Sequence, residues 1–289
     1  MSPPTFDLQS HSTCSDGELA PAEVVARARE AGVELLALSD HDTVEGVGEA
    51  LRAARELGGI TVVPAVEISA LDPEHEDLHI LGYLIDHESP ALLDALAAWR
   101  VDRNARAGRM AAALREAGLE LELPDAGPRG RPIGRPHLAQ AVLDHPANAE
   151  RLRREGLDEP GAVLEAYLLP GRPGYRPRTT PSIDEAVAVI HAAGGIAVWA
   201  HPYWDLADDE DIEATLRRFA AGGMDGVEAF YVTHSCPQTL RLARVAGELG
   251  LCTTGSADFH GPSHARFHAF RAFDLCGLQP DLGPLLAVV

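Results

Sequence analysis

Histidines and carboxylates recur along this chain in tight groups, and each group lies in or just after a short apolar run. The first is Asp7-Leu8-Gln9-Ser10-His11-Ser12-Thr13-Cys14-Ser15-Asp16-Gly17, and the second is Ser39-Asp40-His41-Asp42, an imidazole between two carboxylates. Glu67 closes a third run, His79 sits in a fourth, and Ala200-His201-Pro202 follows a fifth. The last group is Ser256-Ala257-Asp258-Phe259-His260. One histidine in a strand is usually a satisfied core residue. Many acids and imidazoles on one rim are a different case, because burying them without a cation would cost too much desolvation. Imidazole and carboxylate donors without thiolates suit Zn2+, Mn2+ or Fe2+. A carboxylate such as Glu67 can bridge two ions, and two ions about 3.5–4 Å apart clamp a phosphoryl group and activate a water.

For these groups to meet, the apolar runs must be strands of one sheet. Candidate strands fall at residues 5–9, 35–39, 61–68, 78–84, 196–200, 226–230 and 251–256. Amphipathic stretches at 21–31, 44–57, 183–193, 212–221 and 238–249 lie between them. The alternation predicts a parallel α/β fold, and seven strands predict a barrel with its chemistry on the C-terminal rim. Gln9 and His11 share a strand face, because side chains alternate. Pro21 suits a first helical turn, and the acids opening residues 209–218 suit a helix N-terminus. The rhythm breaks near Pro90 and resumes at Pro181. Between them, residues 91–117 read as one long helix, followed by Gly/Pro-rich turns from Pro124 to Pro136. Short helical pieces come next, then the stiff loop Pro170-Gly171-Arg172-Pro173-Gly174-Tyr175-Arg176-Pro177. The expected organisation is a barrel from residues 1–90 and 181–289, with residues 91–180 a helical insertion covering the active site.

Composition narrows the chemistry. The 289 residues carry 24 Lys+Arg against 44 Asp+Glu, a net charge of −20 at pH 7, and all 24 cations are arginine. Without lysine there is no Schiff base, no pyridoxal-phosphate anchor and no P-loop. The charge also disfavours long nucleic acid, whose binding rests on clustered cations. An apolar share of 46% marks an ordinary globular chain, long enough for one large barrel or two domains. No apolar run approaches the ~20 residues of a membrane span. The N-terminal Met-Ser-Pro-Pro-Thr-Phe-Asp lacks the pattern of a signal peptide. Cys14, Cys236, Cys252 and Cys276 are scattered, fitting neither a zinc ribbon nor a disulfide scaffold. A reducing cytoplasm is the expected setting.

The ordered set Asp-Leu-x-x-His-Ser-x-x-Ser-Asp-Gly, Ser-Asp-His-Asp, Val-Glu-Ile-Ser, His-Ile-Leu-Gly-Tyr, Ala-His-Pro and Ser-Ala-Asp-Phe-His resembles the polymerase-and-histidinol-phosphatase (PHP) family of metal-dependent phosphoesterases. It is most similar to the stand-alone branch with a helical insertion, which includes AMP phosphatases, 3′,5′-nucleoside bisphosphate phosphatases and RNase AM. The resemblance spans essentially the whole chain and implies a distorted (β/α)7 barrel with a helical lid. It implies two to three divalent ions, of Mn2+, Zn2+, Fe2+ or Mg2+. The first would use Gln9, His11, Glu67 and Asp258; the second Glu67, His79 and His201; the third Asp16, His41 and His260. Asp40 and Asp42 would orient His41 or take part in proton transfer. One residue departs from the family: its first motif reads His-x-His, and here the first His is Gln9. A neutral amide oxygen is a weaker ligand for late divalent metals and suits Mn2+ or Mg2+ better.

The resemblance also places Arg135 and His137, from Gly134-Arg135-Pro136-His137, against the substrate phosphate, where an arginine fork is well matched. Arg172 would assist. Tyr175 would pack on a base or on the lid, both readings standing equal. His234 would contact phosphate or donate a proton to the leaving group. The expected enzyme hydrolyses small nucleotide phosphomonoesters, such as AMP or a 3′,5′-nucleoside bisphosphate, with a metal-activated hydroxide. The alternatives are a 5′–3′ exoribonuclease on short RNA, a histidinol-phosphatase-like enzyme and a non-catalytic PHP domain.

Overall fold

The computed structural model describes residues 4–126 and 130–288. The turns expected at 124–136 therefore lie partly outside the described residues. Strands β1 (Phe6–Asp7), β2 (Leu35–Leu38), β3 (Thr61–Asp72), β4 (Glu76–Tyr83), β5 (Ile196–Trp199), β6 (Gly226–Tyr231) and β7 (Cys252–Ser256) form one sheet in that order. The sheet curls until its ends meet. Leu8 N–H donates to the Gly255 carbonyl at 3.1 Å, and Ser10 bridges to Phe259 in parallel.

One expectation needs correcting, because the sheet is not parallel throughout. β4 runs antiparallel to both β3 and β5, with Ser69 opposite His79 and Leu81 opposite Val198. Only Pro73, Glu74 and His75 separate β3 from β4. Three residues can make a hairpin but not the crossover that parallel strands need.

Helices α1 (Pro21–Glu30) and α2 (Val47–Leu57) connect the first three strands. After β4 come α3 (Pro90–Glu116), α4 (Arg135–Asp144), α5 (Ala149–Glu155) and α6 (Pro160–Tyr167). Helix α7 (Ile183–Ala192) leads into β5, α8 (Pro202–Asp205) and α9 (Asp209–Ala221) into β6, and α10 (Cys236–Leu249) into β7. Local chemistry sets the helix ends. Pro21 opens α1, Ser182 and Glu185 cap α7 reciprocally, and Asp208 accepts the Glu210 and Asp211 N–H groups at the start of α9. The chain divides into two compact units, Met1–Leu96 with Pro181–Val289, and Ala97–Thr180.

In the first unit, Val24, Val25 and Ala28 of α1 pack with Ala50 of α2 and with Leu36 and Leu38 of β2. Each large aliphatic side chain buried this way contributes about 1.5–3 kcal/mol. The C-terminal segment fastens the barrel seam. Arg271 donates its backbone N–H to Asp7 Oδ2 at 2.7 Å, and its guanidinium reaches the carbonyls of Ala31 and Pro4. A second correction concerns the cysteines: Cys236 and Cys276 form a disulfide, while Cys14 and Cys252 are free. Sequence spacing could not show this, since 40 residues separate the pair.

In the second unit, Met110, Ala111 and Leu114 of α3 form a core with Leu138 and Val142 of α4 and Val163 of α6. Asn148 pins the α4–α5 corner, donating to the Val142 and Glu120 carbonyls and accepting the Glu120 N–H. Among the described residues, no helix is long and apolar enough to cross a membrane.

Candidate metal centre

Four connections on one rim of the barrel carry the centre, and buried acids hold them in place. Asp40 accepts Ser12 N–H at 2.7 Å and the Ser12 and Ser15 hydroxyls at 2.6 Å each. This fixes the loop that carries His11 and Asp16. Gly17 completes that loop, since a Cβ there would lie 2.4 Å from the His11 carbonyl oxygen. Asp42, His201 and Asp258 have φ of 51°, 29° and 53°, a region that costs a non-glycine residue about 1–3 kcal/mol. Each is held by its surroundings. Asp42 Oδ1 accepts Ser69 N–H at 3.0 Å, His201 N–H donates to Glu228 Oε2 at 3.0 Å, and the Tyr231 hydroxyl donates to Asp258 Oδ2 at 2.8 Å. Next to Asp258, Ala257 N–H donates to Asp7 Oδ1 at 3.0 Å.

These supports bring the expected ligands together around Glu67, which is fully buried. Its Oε1 lies 2.7 Å from His79 Nδ1 and 3.2 Å from His201 Nε2. Its Oε2 lies 3.1 Å from His11 Nε2 and 3.3 Å from His41 Nδ1. His11 Nε2 also lies 3.1 Å from Asp258 Oδ1. On the other side, Asp16 lies 3.6–3.7 Å from nitrogens of His11, His41 and His260. Two groups therefore have ligand atoms close enough to share an ion: His11, Asp16, His41 and His260, and His41, Glu67 and His79. Gln9 is also fully buried, with its amide 3.4 Å from Ser256 Oγ.

Without cations the centre must pair its own charges. Burial would raise the Glu67 carboxyl, but His41 and His79, then His11 and His201, outweigh it and hold it well below the usual range. Burial likewise opposes charge on His11, yet Asp258 and Glu67 raise it well above an ordinary histidine. His201 is raised in the same way by Asp205 and Glu67. Asp258, despite burial, is lowered to about 2 by His260 and His11. Several donor atoms lack a well-formed hydrogen bond, among them His11 Nε2, Glu67 Oε2, His201 Nδ1 and Asp258 Oδ1. Lone pairs converging from imidazole and carboxylate, with no competing thiolate, are the donor set a hard or borderline divalent ion takes. The residues fit the metal.

Two residues expected to do chemistry are placed differently. Asp40, read as a partner of His41 or a proton carrier, spends both oxygens on Ser12 and Ser15 instead. His234, read as a proton donor, has Nδ1 3.1 Å from the Ala229 carbonyl, so Nδ1 carries the hydrogen and Nε2 presents a lone pair. Burial lowers His234 to about 4, so it stays neutral at physiological pH and can only accept at Nε2. Its ring lies against Tyr203 and Tyr231.

Arg135, His137, Arg172 and Tyr175 all belong to the second unit. Arg135 opens α4, and Gly134 N–H donates to His137 Nδ1 at 3.0 Å, so the histidine's Nε2 carries a hydrogen. Arg172 is exposed. Tyr175 packs against its own unit's core, with the Arg106 guanidinium 5.4 Å above its ring. Sequence reading passed over three buried arginines of this unit, Arg103, Arg106 and Arg178. Arg106 donates to the Arg176 carbonyl at 2.7 Å, and Arg103 lies against Gly134, where a Cβ would come within 2.9 Å of its Nη2. For Arg103 and Arg106 the available signal was their place on α3, where they stand three apart and share a face. Asp205, 3.3 Å from His201 Nδ1, and Glu228 and Tyr231 on β6 were also passed over.

The PHP domain profile matches residues 7–124. The chain is 36% identical to a 3′,5′-nucleoside bisphosphate phosphatase of Chromobacterium violaceum, over 89% of this chain and 87% of the relative. It is 35% identical to a 5′–3′ exoribonuclease of Haemophilus influenzae, over 89% and 90%. Its fold is similar to the solved structure of an amidohydrolase from Chromobacterium violaceum with bound sulfate. The TM-score is 0.84 at 32% identity, covering 98% of this chain and 96% of that one.

Proposed function

The chain belongs to the PHP family of metal-dependent phosphoesterases, and from that membership we propose that it removes phosphate from small nucleotides of the AMP or 3′,5′-nucleoside bisphosphate type. The observation that carries this reading is Glu67, a buried carboxylate whose two oxygens are shared among four imidazoles within 3.3 Å. That is the arrangement of a bridging ligand. Two to three ions of Mn2+, Zn2+, Fe2+ or Mg2+ would be held by the three sets of residues named above. When bound, such ions supply Lewis acidity at phosphorus and an activated water.

The chain's own residues do the rest. His79 and His201, oriented by Glu67 and Asp205, face one side of the bridge, and Asp16, His41 and His260 the other. His234 accepts a hydrogen bond from a substrate hydroxyl or amine through Nε2. Arg135 and the Nε2–H of His137 hold a phosphate, with Arg103 as a further donor. The relative in Haemophilus influenzae favours a second reading, stepwise release of nucleotides from the 5′ end of short RNA.

The test is a screen of adenosine 3′,5′-bisphosphate, AMP and a 5′-phosphorylated dinucleotide, each with Mn2+, Mg2+ and Zn2+. Inorganic phosphate released from either mononucleotide supports the first reading. Mononucleotide released from the dinucleotide, with both small esters untouched, selects the second. No hydrolysis with any ion overturns both.

A further inference from the structure

The backbone leaves the metal centre at His260 and soon returns to it. His260 N–H donates to the Phe267 carbonyl at 2.9 Å, which closes a loop over residues 260–267. Inside that loop the N–H groups of Arg266 and Phe267 both donate to His264 Nδ1, at 3.2 and 3.0 Å. A ring nitrogen that accepts carries no hydrogen, so Nε2 carries it. Protonation would add a hydrogen at Nδ1 and leave the Nε2–H in place, so this donor does not depend on the charge of the ring. Among the described residues nothing accepts from it. The His264 ring is half-buried, 5.3 Å from the His260 ring and stacked on Phe267 at 5.0 Å.

Arg266 supplies a second donor without an acceptor. On the same barrel Arg217, Arg241 and Arg244 each lie within 3.0 Å of a carboxylate oxygen. Arg266 is exposed and, among the described residues, pairs with none. Glu18, the acid that meets this loop, accepts the Ser263 N–H at 3.0 Å instead. The Arg266 guanidinium lies 5.1 Å above the Trp204 ring, a contact that holds the cation and uses none of its hydrogen-bond donors. Trp204 stands three residues after His201 and is 46% exposed. Its ring meets Phe267 at 5.5 Å, so both donors pack around Phe267, whose own ring is 5.4 Å from His260.

We propose that the His264 Nε2–H and the Arg266 guanidinium form a subsite for a second phosphate of the substrate, the one that is not cleaved. An N–H and a guanidinium that both lack an acceptor suit an anion, and phosphate matches the arginine fork. The metal centre takes the phosphate that reacts. In a nucleoside bisphosphate the other phosphate stands a ribose away, and His264 is one ring removed from the centre. The assignment rests on the reading that this chain dephosphorylates nucleotides, and narrows it to those that carry two phosphates.

The test compares kcat/KM for adenosine 3′,5′-bisphosphate with that for AMP and 3′-AMP at saturating Mn2+, in wild type, His264→Asn and Arg266→Gln. Asparagine places its amide oxygen where Nδ1 stood, so the Arg266 and Phe267 N–H groups keep an acceptor while the Nε2–H is lost. Wild type is expected to favour the bisphosphate. Each variant is expected to lower kcat/KM for the bisphosphate about 5- to 10-fold, through KM. The monophosphates, which leave the subsite empty, are expected to change by less than about 2-fold.

Equal losses on all three esters would overturn the proposal, because loop packing and metal loading act on every substrate alike. An unchanged KM for the bisphosphate in either variant would also overturn it, as would a wild type that treats the three esters equally. Each of these results leaves the phosphatase reading standing. Melting temperature and Mn2+ content check that each variant keeps its fold and its centre. No hydrolysis of any ester by wild type would instead sink the phosphatase reading, and the subsite with it.

Discussion

Glu67 shows how much one buried side chain can carry. Glu67→Gln keeps the shape but places an NH2 against two imidazoles. It is expected to lose at least one bound ion and to lower kcat/KM by about 10³-fold, roughly 4 kcal/mol, checked by kinetics with metal analysis. The same residues set the pH response of the metal-free protein. His11 and His201 are raised, by Asp258 and Asp205 with Glu67, so their contribution is complete below about 6.5 and is lost as pH rises. Burial raises Asp7 to about 7, so between about 4 and 7 the unfolded chain releases a proton that the folded one keeps, and stability falls with rising pH there too. Glu67 and Asp258 are lowered and lose their contribution only as pH falls toward their folded values. In chelator the melting temperature is therefore expected to be higher at pH 6 than at pH 8. Excess Mn2+ should reverse that order, because ions bind the deprotonated ligands. A chelated protein that melts higher at pH 8 would contradict this charge pairing.

Elements explain what was legible in the sequence and what was not. The strands were, because most hold a buried apolar run, such as Leu35–Leu38, and the residues gathered around Glu67 were, because each lies in or just after a strand. The direction of β4 was hidden: β3 and β4 continue through Ser69, Asp72 and Asp77, polar residues that do not read as strand and that disguise a three-residue hairpin. Roles set by distant partners were hidden as well. Asp40 depends on Ser12 and Ser15, and His234 on the Ala229 carbonyl, which no local spacing reveals. Arg103 and Arg178 looked like ordinary surface cations until packing buried them. The loop after β1 allows a test at this scale. Gly17→Ala would press a methyl onto the His11 backbone, which can only move by shifting a ligand. The expected result is a loss of about 2 kcal/mol of stability together with weaker Mn2+ binding, read by denaturant unfolding and calorimetry. Full Mn2+ affinity in a destabilised protein would separate the loop's packing from its role in holding ligands.

Over the whole molecule the charge is unevenly divided. Residues 97–180 hold 14 of the 24 arginines but only 11 of the 44 acids, so the net charge of −20 comes entirely from the barrel segments. Bound divalent ions would neutralise part of the barrel's excess at the centre and leave the rest on its surface. A mononucleotide is small beside that surface, whereas a long RNA must also pass along it. Repulsion of that kind is screened by salt, with a Debye length of about 30 Å at 0.01 M and 10 Å at 0.1 M. The ratio of kcat/KM for a 5′-phosphorylated 20-mer to that for adenosine 3′,5′-bisphosphate should therefore rise as monovalent salt goes from 10 to 200 mM at fixed Mn2+. A nuclease with a basic groove does the opposite, because its affinity comes from released counterions and falls steeply over the same range. Measuring both substrates across the salt series cancels any effect on metal loading. A ratio that falls about tenfold or more would show that the arginines of residues 97–180 form a track for long RNA and outweigh the barrel's charge.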